Sequence, residues 1–152
     1  MDLIKTVRNP HWGKLDIPTR RRILLDLEST CKKLEVEHKA EIPVKETLCE
    51  GVYTREVFIP KGTVLVGEIH KTTHISLLTK GKICVISEDG REILDAENNT
   101  ITLISKAGTK RAGYTLEDSV WITIHKTKRK SIKKIKQDII SPSYELLSNK
   151  GK

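Results

Sequence analysis

The stretch PKGTVLVGEIHKTTHISLLTKG, residues 60–81, decides the fold. Its apolar residues are mostly β-branched or leucine, and Glu68, His70 and His74 interrupt them as ionisable side chains. Side chains of an extended strand alternate with period two, so Val64, Val66, Glu68 and His70 are expected on one face. A tight bend at Lys71-Thr72-Thr73 would return His74 to the same point, converging one carboxylate with two imidazoles.

Outward from this stretch the same pattern continues. VYTREVFI (52–59) precedes it, and KICVIS (82–87), REILDA (91–96), TITLIS (100–105) and SVWITIH (119–125) follow. Short runs rich in β-branched residues between glycine-containing turns read as strands, and with GTVLVGEIH and ISLLTKG they number seven. Glu88-Asp89-Gly90 separates two such runs, and Asp-Gly tolerates the positive φ of a tight hairpin. The strands are therefore expected to be antiparallel and sequentially paired, in a sandwich or closed barrel.

Before residue 51 the pattern is helical: Leu24, Leu27, Cys31 and Leu34 recur at spacings of three and four, and Pro18 suits a helix start. This predicts an amphipathic helix over 18–37. After residue 125 the chain becomes lysine-rich, with Ile132, Ile135 and Ile139 on one helical face. The expected organisation is an N-terminal arm and helix over 1–50, a barrel over 51–125 and a basic helical tail over 126–152.

With 152 residues the chain is long enough for one domain with a real core. The net charge of +8 raises nucleic acid as a partner, yet aromatic residues make up 4% and no base-reading motif is present. Three cysteines without C-x-x-C spacing are expected to be reduced structural thiols. No apolar stretch approaches a membrane span and the first residues lack a signal-peptide core, so the expectation is a cytoplasmic protein.

The spacing of residues 62–81 resembles the first motif of the cupin family, G-x5-H-x-H-x3-E-x6-G. Here Gly62, Glu68, His70, His74 and Gly81 fill the frame, with Glu68 at the first histidine position and His74 at the glutamate position. The second cupin motif, P-x-G-x2-H, is matched by Lys106-Ala107-Gly108-Thr109-Lys110-Arg111, without the proline and with Arg111 at the histidine position. The whole stretch is also similar to small single-domain cupins of tailed bacteriophages. The resemblance implies a mainly β fold, an antiparallel cupin jelly-roll barrel, flanked here by the N-terminal helix and the C-terminal basic helix.

Two histidines and a carboxylate, Glu68, His70 and His74, form a set able to hold iron, zinc, manganese or nickel. Arg111 opposes this, because a guanidinium offers no lone pair and stays positive. Its fork instead suits a carboxylate or phosphate, so a pocket for a small polar or anionic molecule is the leading expectation, with Glu68, His70, His74 and Arg111 as contacts. A further possibility pairs Glu68 with Arg111 in a pocket without metal. Tyr53, Arg55 and Tyr114 are candidate contacts, as are Trp121 and His125 if their face of residues 119–125 points inward. Trp12 is expected to anchor the N-terminal arm.

The phage resemblance extends the leading reading to an accessory protein that captures a host nucleotide signal in the host cytoplasm. Two alternatives stand beside it: a metal-dependent cupin enzyme (oxygenase, isomerase or epimerase), and a nucleic-acid or acidic-protein adaptor working through the tail. Whether any reaction is catalysed stays open. A homodimer is expected, since exposed strand edges in small barrels need covering. Cys31 lies on a helix face, Cys84 in an apolar strand and Cys49 near Glu46 and Glu50, which gives no support to a nucleophilic cysteine, and no phosphate-binding glycine loop is present.

Overall fold

The computed structural model describes residues 1–38 and 42–148. Its strands pair in a nested series, every pair antiparallel. Outermost, β2 (Val52–Ile59) pairs with β10 (Ser119–Lys126); inside it β3 (Val64–Val66) pairs with β9 (Arg111–Thr115). Next, β5 (His74–Lys80) pairs with β8 (Ile101–Ser105), and β6 (Lys82–Ser87) with β7 (Gly90–Asp95) at the centre. Lateral pairing of β10 with β5 and of β9 with β6 distributes these strands over two sheets. One is ordered β1-β2-β10-β5-β8, with β1 (Val44–Cys49) at its edge, and the other β3-β9-β6-β7. This nesting is a jelly roll. The sheets are not closed into a continuous barrel.

Several local features differ from the sequence reading. The first sheet begins at Val44, ahead of residue 51, because the polar run Lys45-Glu46-Thr47 is an edge strand with one solvated face. Residues 62–70 form two strands, β3 and β4 (Ile69–His70), separated by Gly67 and Glu68. Gly67 N donates to Arg111 O at 2.8 Å at this break, so the alternation counted from Val64 does not run through to His70. The β6–β7 loop is Glu88-Asp89, with Gly90 already paired to Ser87. Gly81, at φ +92, makes the β5–β6 turn, where a Cβ would stand 2.3 Å from Asp118 O.

The long helix α2 (Ile17–His38) follows the short helix α1 (Leu3–Val7) and agrees with the predicted span. Asp16 Oδ1 accepts from Thr19 N at 2.8 Å, satisfying one free amide of its first turn. Both helices cover the outer face of the four-stranded sheet, where Val7, Trp12, Leu24, Leu27, Ile86 and Ala112 form a core cluster. Burying a leucine is worth about 1.5–3 kcal/mol, so Leu24 and Leu27 anchor α2 while Leu34 remains 38% exposed. Trp12 is fully buried and its indole donates to Ser87 O at 2.8 Å, as an anchor of the arm should. Arg20, at a helix start where a cation opposes the dipole, is compensated by the carbonyls of Trp12, Gly13 and Glu88.

The basic tail is broken into helix α3 (Ile132–Ile139), strand β11 (Ile140–Ser141) and helix α4 (Tyr144–Ser148). Pro142 disfavours helical geometry in the residue before it, and Ile140 is already extended at φ -107, ψ 130. Ile135 and Ile139 pack with Tyr53, so the apolar face of α3 is spent on the fold. Strand β11 pairs with β4, placing Ile140 opposite His70.

The outer face of the five-stranded sheet carries Phe58, Leu77, Ile75, Ile104, Ile122 and Ile124, by alternation with the inward residues of the same strands. Ile104 is 72% exposed and Ile75 44%. Among the described residues no helix is long and apolar enough to cross a membrane.

Candidate metal and anion site

Between the two sheets lies a cavity of ≈ 490 Å³, lined at its base by Leu65, Ile83 and Val85 and at one end by His70, His74 and His125. Strand pairing explains the histidine cluster. One step beyond the Ile75–Ile124 pair, the β5–β10 register sets His74 beside His125. His70 reaches them from β4, held by β11 and by Gly108 N, which donates to His70 O at 2.8 Å. Lys71 N donates to Ile139 O at 2.7 Å, fixing the bend between His70 and His74. The ring centroids are 4.3 Å apart for His70–His74, 4.3 Å for His74–His125 and 5.3 Å for His70–His125.

Burial keeps these imidazoles neutral. It lowers His70 to about 3, with help from His74, His125, Arg111 and Arg55, and lowers His125 to about 4, with help from His74. His74 is lowered for the same reason, partly offset by its bond to Thr72 O. That bond, 3.0 Å from Nδ1 to a carbonyl, requires Nδ1 to donate and leaves Nε2 with a free lone pair.

A metal ion fits this donor set. One ligand nitrogen from each of the three histidines lies within 4.8 Å of the others. Bonds of about 2.0–2.1 Å to one ion require somewhat closer nitrogens, a change that small ring rotations supply. His125 supplies the decisive observation: both of its ring nitrogens are buried without a hydrogen-bond partner. An orphaned buried polar atom costs about 1–3 kcal/mol, and coordination removes that cost for the ligating nitrogen. Glu68 lies outside the trio; it is exposed at the cavity rim, outside both β3 and β4.

Arg111 points into the same cavity from β9, half-buried. Its Nη1 donates to Ser105 Oγ at 2.6 Å, and its guanidinium lies 6.0 Å from the Trp121 ring centroid. Ser105 Oγ is also 2.8 Å from Ser76 Oγ, so with Arg111 donating to Ser105 the Ser105 proton turns to Ser76. Arg111 forms no ion pair with Glu68 among the described residues. Trp121, Thr123 and His125 face the cavity, which settles the orientation of β10. Tyr53 and Arg55 line it from β2; the Tyr53 hydroxyl donates to Glu46 Oε2 at 2.9 Å. Tyr114 does not reach it. It alternates with Arg111 and Gly113 on β9, so its ring packs toward the helices, with Arg8 6.0 Å from its centroid.

Ser76 and Ser105 were missed by sequence reasoning, although Ser76 follows His74 by two residues and so shares its strand face. No sequence signal marks Ser105, whose role depends on the β5–β8 pairing.

No family model and no curated protein matches the chain. Solved structures with a similar backbone include KdgF from Halomonas sp., 16% identical over 61% of this chain and 91% of that one, with a TM-score of 0.47. A cupin superfamily protein from Desulfitobacterium hafniense is 13% identical over 58% of this chain and 79% of that one, with a TM-score of 0.48. The fold here is an antiparallel jelly roll with an N-terminal and a C-terminal helix. Within that fold the cupin-like spacing of residues 62–81 delivers two of the three clustered histidines, and β10 delivers the third.

Proposed function

We propose that this cupin binds a small anionic molecule at a divalent metal held by His70, His74 and His125, with Arg111 as the anion anchor. The observation that carries the reading is the buried, unpartnered His125 inside a cavity that also holds Arg111, an arginine in no ion pair among the described residues. Neutral imidazoles suit zinc, iron or nickel, while manganese favours oxygen ligands. When bound, such an ion supplies a Lewis-acid contact for an anionic oxygen. The guanidinium fork of Arg111 matches a carboxylate or phosphate group, and Trp121 offers an apolar wall beside it. Glu68, Arg55 and Tyr53 stand around the ligand as rim and wall contacts.

Binding is favoured over catalysis by the side chains around the trio. The oxygen acids lining the cavity are Tyr53, which burial and Glu46 push up to about 12, and Glu68 at the rim. Neither is placed as a general acid or base for a group held between the histidines and Arg111. A nucleotide, the ligand class implied by the phage resemblance, belongs to the same anionic class. Calorimetry on the zinc-equilibrated chain with butyrate and with a nucleoside monophosphate tests the reading. Binding of either probe that weakens by about tenfold or more in Arg111→Gln supports it; no heat from both removes it.

A homodimer through the outer face of the five-stranded sheet completes the proposal. Monomers seldom leave apolar patches of more than a few hundred Å² uncovered. A flat sheet face is complementary to a copy of itself, sheets stack about 10 Å apart, and an isologous contact closes at two subunits. The opposite sheet is already covered by α1 and α2.

A further inference from the structure

Arg55 on β2 and Arg111 on β9 line one cavity from opposite sheets. Neither is in an ion pair among the described residues. Glu46, which faces Arg55 across the β1–β2 register, is occupied by the Tyr53 hydroxyl and by Lys136 Nζ at 3.2 Å. Arg111 is half-buried and Arg55 exposed, which places the first deep and the second at the mouth. Both charges act on the His70 ring. The lining holds three cations, Arg55, Arg111 and Lys136, against one carboxylate, Glu68, and Lys136 is already paired.

The half-buried guanidinium of Arg111 attracts a counter-anion within the recess, and the exposed one of Arg55 offers a second anion contact from the opposite sheet. We infer that the ligand carries an anionic group at each end, as in a small dicarboxylate or a phosphono-acid, with its inner group on Arg111 beside the histidines and its outer group on Arg55. This rests on the anion-binding reading above and adds the second charge. A monoanion on Arg111 leaves Arg55 with only the electrostatic contact of Glu46, so a second anionic group gains a contact that a monoanion lacks. Glu68, acceptor-only when ionised, is available to a hydroxyl of the ligand but repels a third anionic group.

The test is calorimetry on the full chain equilibrated with zinc, using succinate, glutarate and adipate against butyrate, valerate and hexanoate. Phosphonoacetate and phosphonopropionate form a second arm that reports whether one end is a phosphonate. At least one two-ended acid is expected to bind about tenfold or more tighter than its chain-matched monoacid. Arg55→Gln should erase that advantage by weakening the two-ended acids more than the monoacids, whereas Arg111→Gln weakens both classes alike. Equal binding of every two-ended acid and its monoacid overturns the inference and leaves the single-anion reading standing. An equal loss for both classes in Arg55→Gln also overturns it. No binding by any acid overturns the inference, and the single-anion reading then stands or falls with the nucleoside monophosphate.

Discussion

His74 and His125 stack with ring centroids 4.3 Å apart and planes inclined at 29°, although they lie on strands far apart in sequence. The contact is a product of the β5–β10 register. Two adjacent buried imidazoles resist protonation, and a second positive charge beside the first would resist it further.

Acid stability follows from this cluster. In the metal-free chain the folded-state values of His70 and His125 lie near 3 and 4, below the ordinary 6.5. Between those values and 6.5 the unfolded chain binds more protons, so stability is full above 6.5 and falls as pH decreases through this window. The slope is up to about 1.4 kcal/mol per pH unit for each histidine. Urea titrations of chelator-treated protein at pH 7.5 and pH 5 should show the loss, and the double variant His70→Gln, His125→Gln should flatten it. Equal midpoints in the unsubstituted chain would contradict the burial of these rings.

Lys110, 1% exposed, is held by Glu28 of α2, and its Nζ donates to Gly67 O at 2.9 Å, directly behind Arg111. Burial would raise Glu28, but hydrogen bonds from Lys110 and Lys32 outweigh it and lower the carboxyl. Lys110→Met leaves Glu28 without its buried partner and is expected to cost about 3 kcal/mol. Lys32→Met, at an exposed lysine, should cost under about 1 kcal/mol. Equal unfolding midpoints for the two variants would show that the buried pair holds nothing.

The bare sheet face makes a separate prediction. Ile104→Lys places a charge on a face where Phe58, Ile75 and Ile104 are exposed beside the half-buried Leu77, Ile122 and Ile124. The unsubstituted chain should elute as a dimer in size exclusion with light scattering, and the variant as a folded monomer. A monomer in both cases would leave that face without a partner of its own kind.

The strands of highest β-branched content, β2, β6, β8 and β10, were legible to within a residue or two, as was α2. β9, with Ala112 and Gly113, lacks a strand signal; it is a strand through its pairing with β3 and β6, and a Cβ at Gly113 would stand 2.7 Å from Ile83. Two of the three clustered histidines were legible. His70 and His74 come from one local motif, so spacing finds them. His125 joins them only through a long-range register, and Glu68 leaves the group because the chain breaks at Gly67–Glu68 instead of continuing as one strand. Ion-binding sets assembled across sheets escape any reading based on local spacing alone.

Metal stoichiometry in purified chains and their variants tests the central claim most directly. After equilibration with zinc and desalting, elemental analysis should find about one ion per chain in the unsubstituted protein and in Glu68→Ala, and almost none in His125→Ala or His74→Ala. Retention of the ion in His125→Ala together with its loss in Glu68→Ala would contradict the three-histidine centre.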